Sequence, residues 1–213
     1  MLINCDLGEC LIPNQDATIM PLIDMANIAC GGHAGNDESM NKTIELAKAN
    51  QVMVGAHVSY PDRENFGRKS MDISNDVLSH HLHSQMSQLN TLCEKQHAEL
   101  AYVKPHGALY QDMLTKQPIF ETLCKVVESL NKGLFLLVPL GFQPNTKTQL
   151  MHELFADRAY RDGTMVARSQ TGAVLAEVDK IIRQYQNFAS NKNCDSICFH
   201  SDNPASVQAL KCL

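Results

Sequence analysis

The strongest constraint on the fold is a pattern that recurs along the chain. A short apolar run ends in a turn that carries an ionisable side chain. Residues 2–3 run into Asn4-Cys5-Asp6 with Glu9 just beyond, and residues 25–30 into Gly31-Gly32-His33. Residues 52–54 run into Gly55-Ala56-His57, residues 100–103 into Lys104-Pro105-His106-Gly107, and residues 197–199 into His200-Ser201-Asp202. Apolar runs of this length between turn residues read as buried strands. Proline donates no ladder hydrogen bond and glycine permits a sharp turn, so the strand at 100–103 is expected to stop before Pro105.

Between these runs the apolar spacing is helical. Asn36 or Asp37 caps a helix reaching residue 50, with Met40, Ile44 and Ala47 inward. Ser74 opens another to residue 96, with Val77, Leu82, Met86, Leu89 and Leu92 on one face. Further helices are expected over 16–22, 119–130, 171–188 (Val174, Val178, Ile181 and Ile182 inward) and from 205 onward. Strands are expected at 134–138 and, very short, at 155–156. The polar stretch 59–71 is long for a connection in a compact domain, and such loops often carry function. Alternating strands and helices call for a parallel sheet with right-handed crossovers. An open sheet gathers its site at one switch point, whereas here polar strand ends occur nearly all along the chain. The expected fold is a single α/β barrel over residues 1–213, with its site at the carboxyl ends of the strands.

Net charge is −5 without a dense Lys/Arg block, which argues against nucleic acid and anionic membranes as partners. No apolar run long enough to cross a membrane is present. The 8 cysteines include no C-x-x-C pair, so they read as reduced thiols in a cytoplasmic protein rather than a zinc ribbon.

Asp6, Glu9, His33, His57 and His106 are the leading candidates for chemistry. Imidazole and carboxylate groups converging from rigid strand ends suit acid–base work or a divalent metal. Lys104 could stabilise an oxyanion, pair with a substrate carboxylate, or balance Asp6 and Glu9. Arg158 and Arg168 could clamp a carboxylate or phosphate, or Arg158 could pair structurally with Asp157. The chain has neither a P-loop nor a nucleophile-elbow serine.

At these residues the chain resembles the LamB/YcsF family, the A-subunit proteins of 5-oxoprolinase. The matching blocks are Asp6-Leu7-Gly8-Glu9, residues 26–35, Gly55-Ala56-His57, Tyr60-Pro61-Asp62, Phe66-Gly67-Arg68, residues 103–110, 155–158 and 168–174. The resemblance implies a seven-stranded TIM-barrel variant, a (β/α)7 barrel related to glycoside hydrolase and deacetylase barrels, and with it a link to carbohydrate metabolism. It also implies ATP-dependent opening of 5-oxo-L-proline to L-glutamate with partner subunits B and C. On that footing Asp6, Glu9, His57, Lys104 and His106 would be catalytic, and His33, Asp157, Arg158, Arg168 and His200 would bind substrate. The deacetylase barrels make Asp6, His57 and His106 a metal candidate. Gly32 departs from the family's usual Phe, removing an aromatic that could wall the pocket. Two other readings are a stand-alone metal-dependent deacetylase or amidohydrolase, and a non-catalytic metabolite-binding barrel.

Overall fold

The computed structural model describes residues 1–130, 132–191 and 193–213. In chain order its elements are β1 (Leu2–Leu7), α1 (Asp16–Ile19), β2 (Met25–Ala29), α2 (Asp37–Ala49), β3 (Met53–Val58), α3 (Asn75–Lys95), β4 (Leu100–Pro105), α4 (Gly107–Thr115), α5 (Gln117–Ser129), β5 (Phe135–Pro139), β6 (Gln149–Phe155), β7 (Tyr160–Arg161), β8 (Thr164–Met165), α6 (Val178–Asn191), β9 (Ser196–His200) and α7 (Pro204–Leu210). A 3-10 turn, Met20–Leu22, follows α1. Strands β1-β2-β3-β4-β5-β6-β9 close into a barrel, and every pairing within it is parallel. The expected (β/α) barrel is therefore the fold, closed by seven strands.

Alternation along each strand divides its residues between two environments. Cys5, Leu7, Ile28, Val54, Val103, Leu136, Leu154 and Ile197 belong to the main apolar core, which the helices cover. The alternate residues fill the barrel. Met25, Tyr102 and Leu137 form a small apolar layer, and a Cβ at Gly55 would lie 2.1 Å from the Tyr102 ring, so glycine makes room for that ring. Above this layer the interior turns polar. Register sets Asp6 beside Asn27 and His200, and His57 beside Lys104.

The helices follow their caps. Asn36 Oδ1 accepts from the Ser39 amide at 2.9 Å, and the Ser39 hydroxyl oxygen accepts in return from the Asn36 amide, which starts α2. Ser74 caps α3, but the buried face runs through Leu78, Leu82, Met86 and Leu89, while Val77 is 47% exposed. Counting back one helical turn from Leu82 reaches Leu78; Val77 is five residues away, on the far side.

The structure departs from the expected elements in several places. β4 runs through Pro105, which pairs with Val58, and the ladder continues as the His106 amide donates to Val58 O at 2.7 Å. Lys104 thus sits inside the strand, not beyond it. The sixth strand is seven residues long rather than the pair at 155–156. The α4 helix and the β7–β8 hairpin lie outside the expected pattern. Residues 171–177 are not helical: the amides of Ala159 and Leu175 donate to Ala173 O and Asp157 O, both at 2.9 Å, tying that stretch alongside residues 157–159. The helix begins only at Val178.

Candidate active site

The site begins with Asp6, buried at the end of β1. Its Oδ1 accepts from Asn27 Nδ2 at 2.7 Å and from Lys104 Nζ at 3.1 Å; its Oδ2 lies 3.3 Å from His57 Nε2. Burial opposes ionisation, yet His57 and Lys104 hold this carboxyl well below the usual carboxylate range. Asp6 is an anion.

Lys104 is the cation at the centre. Its Nζ lies 3.0 Å from Asn4 Oδ1, 3.1 Å from Asp6 Oδ1, 3.3 Å from Glu153 Oε2 and 2.9 Å from Cys198 Sγ. Burial disfavours the charge, but Asp6 leads the groups that raise its pKa well above the ordinary lysine value. An ammonium has only three hydrogens, so neighbours already absorb its donors. Lys104 balances Asp6 and Glu153, not Asp6 and Glu9.

Above this layer lie three imidazoles. His57 Nδ1 donates to Lys104 O at 3.0 Å, and His106 Nε2 donates to Phe66 O at 2.9 Å. With those hydrogens committed, His57 Nε2 and His106 Nδ1 face each other at 2.9 Å. In the neutral pair both facing nitrogens carry lone pairs, so the gap favours a proton or a cation. His33 stacks on His106 with centroids 3.7 Å apart and places Nε2 3.2 Å from Glu9 Oε1. Burial, with His57 adding, pushes His106 well below the ordinary imidazole value; burial and then His106 do the same to His33. Burial and the Asp6 charge push the Glu9 carboxyl well above its usual range.

The long loop after β3 is fixed against this group. Gly67 O accepts from the Ala108 amide at 2.9 Å, and Arg63 Nη1 donates to Gly35 O at 2.8 Å. Gly67 has φ +64°, and a Cβ there would come 2.9 Å from His33 Cβ. The positive φ and the lack of room both require glycine. Gly32, by contrast, does not line the cavity. A Cβ there would meet Ser59 Oγ at 2.3 Å and Gln85 Oε1 at 2.6 Å, so its expected role as a lost pocket wall does not hold.

A cavity of about 300 Å³ opens over the strand ends. Asp6, Glu9, His57, Lys104 and His106 line it, as do Arg158, Arg168 and His200. Two residues expected to bind substrate stand behind it. His33 supports His106, and Asp157 accepts from His200 Nδ1 at 2.7 Å and from Asn203 Nδ2 at 3.2 Å. Burial works against the His200 charge, but Asp157 raises its pKa; burial works against the Asp157 charge, but His200 lowers its pKa. Arg158 reaches the cavity while donating Nε to Ala173 O at 3.1 Å and Nη2 to Val166 O at 2.8 Å. It pins the loop that carries Arg168, and neither hydrogen bond goes to Asp157.

For a metal, the expected trio is Asp6, His57 and His106. In the structure Glu9, His33, His57 and His106 each offer one ligand atom, all within 4.8 Å of one another. The facing lone pairs of His57 and His106, with His33 Nε2 3.2 Å from Glu9 Oε1 beside them, suit a cation. Asn27 and Lys104 occupy Asp6 Oδ1, while Asp6 Oδ2 lies 3.3 Å from His57 Nε2 and is not hydrogen-bonded to either of them.

Sequence reasoning missed Asn4, Asn27, Glu153 and Cys198, which complete the charged layer, and Arg68 and Asp202, which line the cavity. Asn4 and Asp6 are two apart on β1, and Ser196 and Cys198 two apart on β9, a spacing that marks one strand face. Glu153 lies in the part of β6 that the expected strand at 155–156 leaves out.

A parallel barrel with a buried acid, base and ammonium array under an open cavity is a (β/α)7-barrel enzyme. Comparison with known proteins agrees. The LamB/YcsF family model matches residues 1–213, and the chain belongs to that family. It is 37% identical over 230 aligned positions to the 5-oxoprolinase A-subunit of Vibrio cholerae, covering 98% of this chain and 94% of that protein. The lactam utilization protein from Thermus thermophilus is 28% identical with a TM-score of 0.89, over 99% of this chain and 94% of that one. The catalytic domain of a peptidoglycan N-acetylglucosamine deacetylase from Eubacterium rectale (TM-score 0.52, 11% identity, 98% of this chain and 79% of that one) shares the fold.

Proposed function

We propose that this chain is the A-subunit of a cytoplasmic 5-oxoprolinase, which opens 5-oxo-L-proline to L-glutamate with subunits B and C and consumes ATP. The observation that carries the reading is a cavity in which Asp6 Oδ2 lies 3.3 Å from His57 Nε2 and Glu9 Oε1 lies 3.8 Å from His106 Nδ1, with Asp6 held ionised and Glu9 pushed towards its protonated form. Pairs driven apart in this way divide acid and base roles.

Opening the lactam needs a water made nucleophilic and a proton for the departing ring nitrogen. The facing nitrogens of His57 and His106 are placed to take the water's proton, and Asp6 at 3.3 Å offsets the charge that develops. The Glu9 carboxyl can protonate the nitrogen. Lys104 keeps Asp6 ionised and does not hold substrate, since its donors are taken. Resonance makes an amide a poor electrophile, and ATP would supply the activation, by phosphorylation of the lactam oxygen. With a divalent cation bound, Glu9, His33, His57 and His106 would serve as its ligands in place of these proton-transfer roles, and the cation would polarise water or the carbonyl.

The test is glutamate release from 5-oxo-L-proline by the purified chain with candidate B and C subunits. Release should require ATP and all three chains. Release by this chain alone without ATP would contradict the reading.

A further inference from the structure

We propose that Arg68 and Arg168 read the substrate's carboxylate at the cavity mouth, so that the ring amide points inward to Asp6, His57 and His106. This assignment rests on the function proposed above and names the residues that would give that site its specificity.

Arg68 and Arg168 enter from different loops and meet on one carboxylate. Arg68 Nη2 donates to Asp202 Oδ2 at 2.5 Å, and Arg168 Nη2 donates to the same oxygen at 2.9 Å. Two guanidinium groups are thus already spaced around a carboxylate oxygen. Each has five N–H donors, and among the described residues each commits one side-chain hydrogen bond, to Asp202. The remaining donors are available to a second carboxylate. Both side chains are about one-third exposed (34% and 33%) and line the cavity, which puts them at its mouth.

Their mounting is rigid. Arg68 follows Gly67, whose carbonyl is held by the Ala108 amide at 2.9 Å, and its guanidinium lies 5.2 Å from the Phe66 ring centroid. The loop carrying Arg168 is pinned by Arg158 through Val166 O and Ala173 O. Preorganised guanidinium groups suit planar recognition of a carboxylate.

Charge sets the orientation. At the mouth Arg68 and Arg168 outnumber Asp202, with Arg158 buried behind them in the cavity wall. In the floor, Lys104 is shared between Asp6 and Glu153 and has no donor left for another anion. An anionic group is drawn to the mouth and repelled from the floor. A lactam bearing a carboxylate would therefore enter ring first.

The experiment compares 5-oxo-L-proline with 2-pyrrolidinone, the same ring without the carboxylate, in the complex with its partner subunits and ATP. Values of kcat and KM are measured for native chain, Arg68→Gln and Arg168→Gln, with Tm confirming that each variant folds. Each substitution should raise KM for 5-oxo-L-proline by about tenfold to thirtyfold and shrink its preference over 2-pyrrolidinone by a similar factor. Arg68→Lys, which keeps charge but loses the planar fork, should fall between. An unchanged preference, or a fall in kcat with KM unmoved, overturns the assignment while leaving the lactam function standing. Absence of 5-oxo-L-proline turnover by the native complex overturns both.

Discussion

Replacing Lys104 with Met keeps an unbranched chain one atom shorter and removes its charge. Asp6 is 4% exposed and Glu153 fully buried, and Lys104 is the ammonium within 3.3 Å of both. Without it two carboxylates face each other in the barrel with their shared cation gone. Removing one partner of a buried ion pair typically costs about 3–5 kcal/mol. Against a total of roughly 5–15 kcal/mol for a domain, that is a large fraction. Lys104 itself has a raised pKa, so its contribution is fully present below the unfolded lysine value and is lost as pH rises through the folded one. Urea unfolding followed by circular dichroism gives the midpoint and slope that convert to this loss. Adding Glu153→Gln to the Lys104→Met chain removes one of the two stranded charges and should recover part of the stability. A Lys104→Met loss below about 1 kcal/mol, or a double variant weaker by the sum of the two single effects, would refute the role of Lys104 as the shared cation.

Two further outcomes follow from the same geometry. In Asp157→Asn the His200 pKa, raised in the native chain by Asp157, should fall, which NMR titration of the imidazole reads directly. The native pair stabilises most between the unfolded carboxylate and imidazole values, about pH 4 to 6.5. Below that window the gain is lost as pH falls through the lowered Asp157 value, and above it as pH rises through the raised His200 value. The Tm difference between native and Asp157→Asn should therefore peak in that window, and a flat difference would contradict the pairing. Gly107→Ala would place a Cβ 2.5 Å from Gly67 O at a backbone with φ +53°. It should lower stability by about 1–3 kcal/mol and loosen the loop behind Arg68, measurable as increased hydrogen exchange of the Ala108 amide.

Much of this molecule is legible in its sequence, for identifiable reasons. Strand ends are abrupt in a parallel barrel, so Asp6, His57 and His106 stand out where apolar runs stop. The polar interior is harder to see. Asn27 and Cys198 pass as members of apolar runs, and Asn4 as a residue beyond one, until closure brings them together inside the barrel. β6 is longer than its sequence suggests because Gln149, His152 and Glu153 mask its alternation. Residues 171–177 carry a helical signal, since Val174 and Val178 are four apart, but a turn at 171–172 and long-range backbone bonds from residues 173–175 to 157–159 keep that stretch out of a helix. Arg68 is visible inside Phe66-Gly67-Arg68, yet only the folded loop shows that it reaches Asp202.

The most direct test of the central claim is glutamate release and ATP hydrolysis measured together in the three-subunit complex, native chain beside His106→Ala. ATP-dependent release is expected with the native chain, and its loss is expected in the variant, with Tm largely retained. Near-normal release from the His106→Ala complex would contradict the claim that the lactam is opened in this cavity.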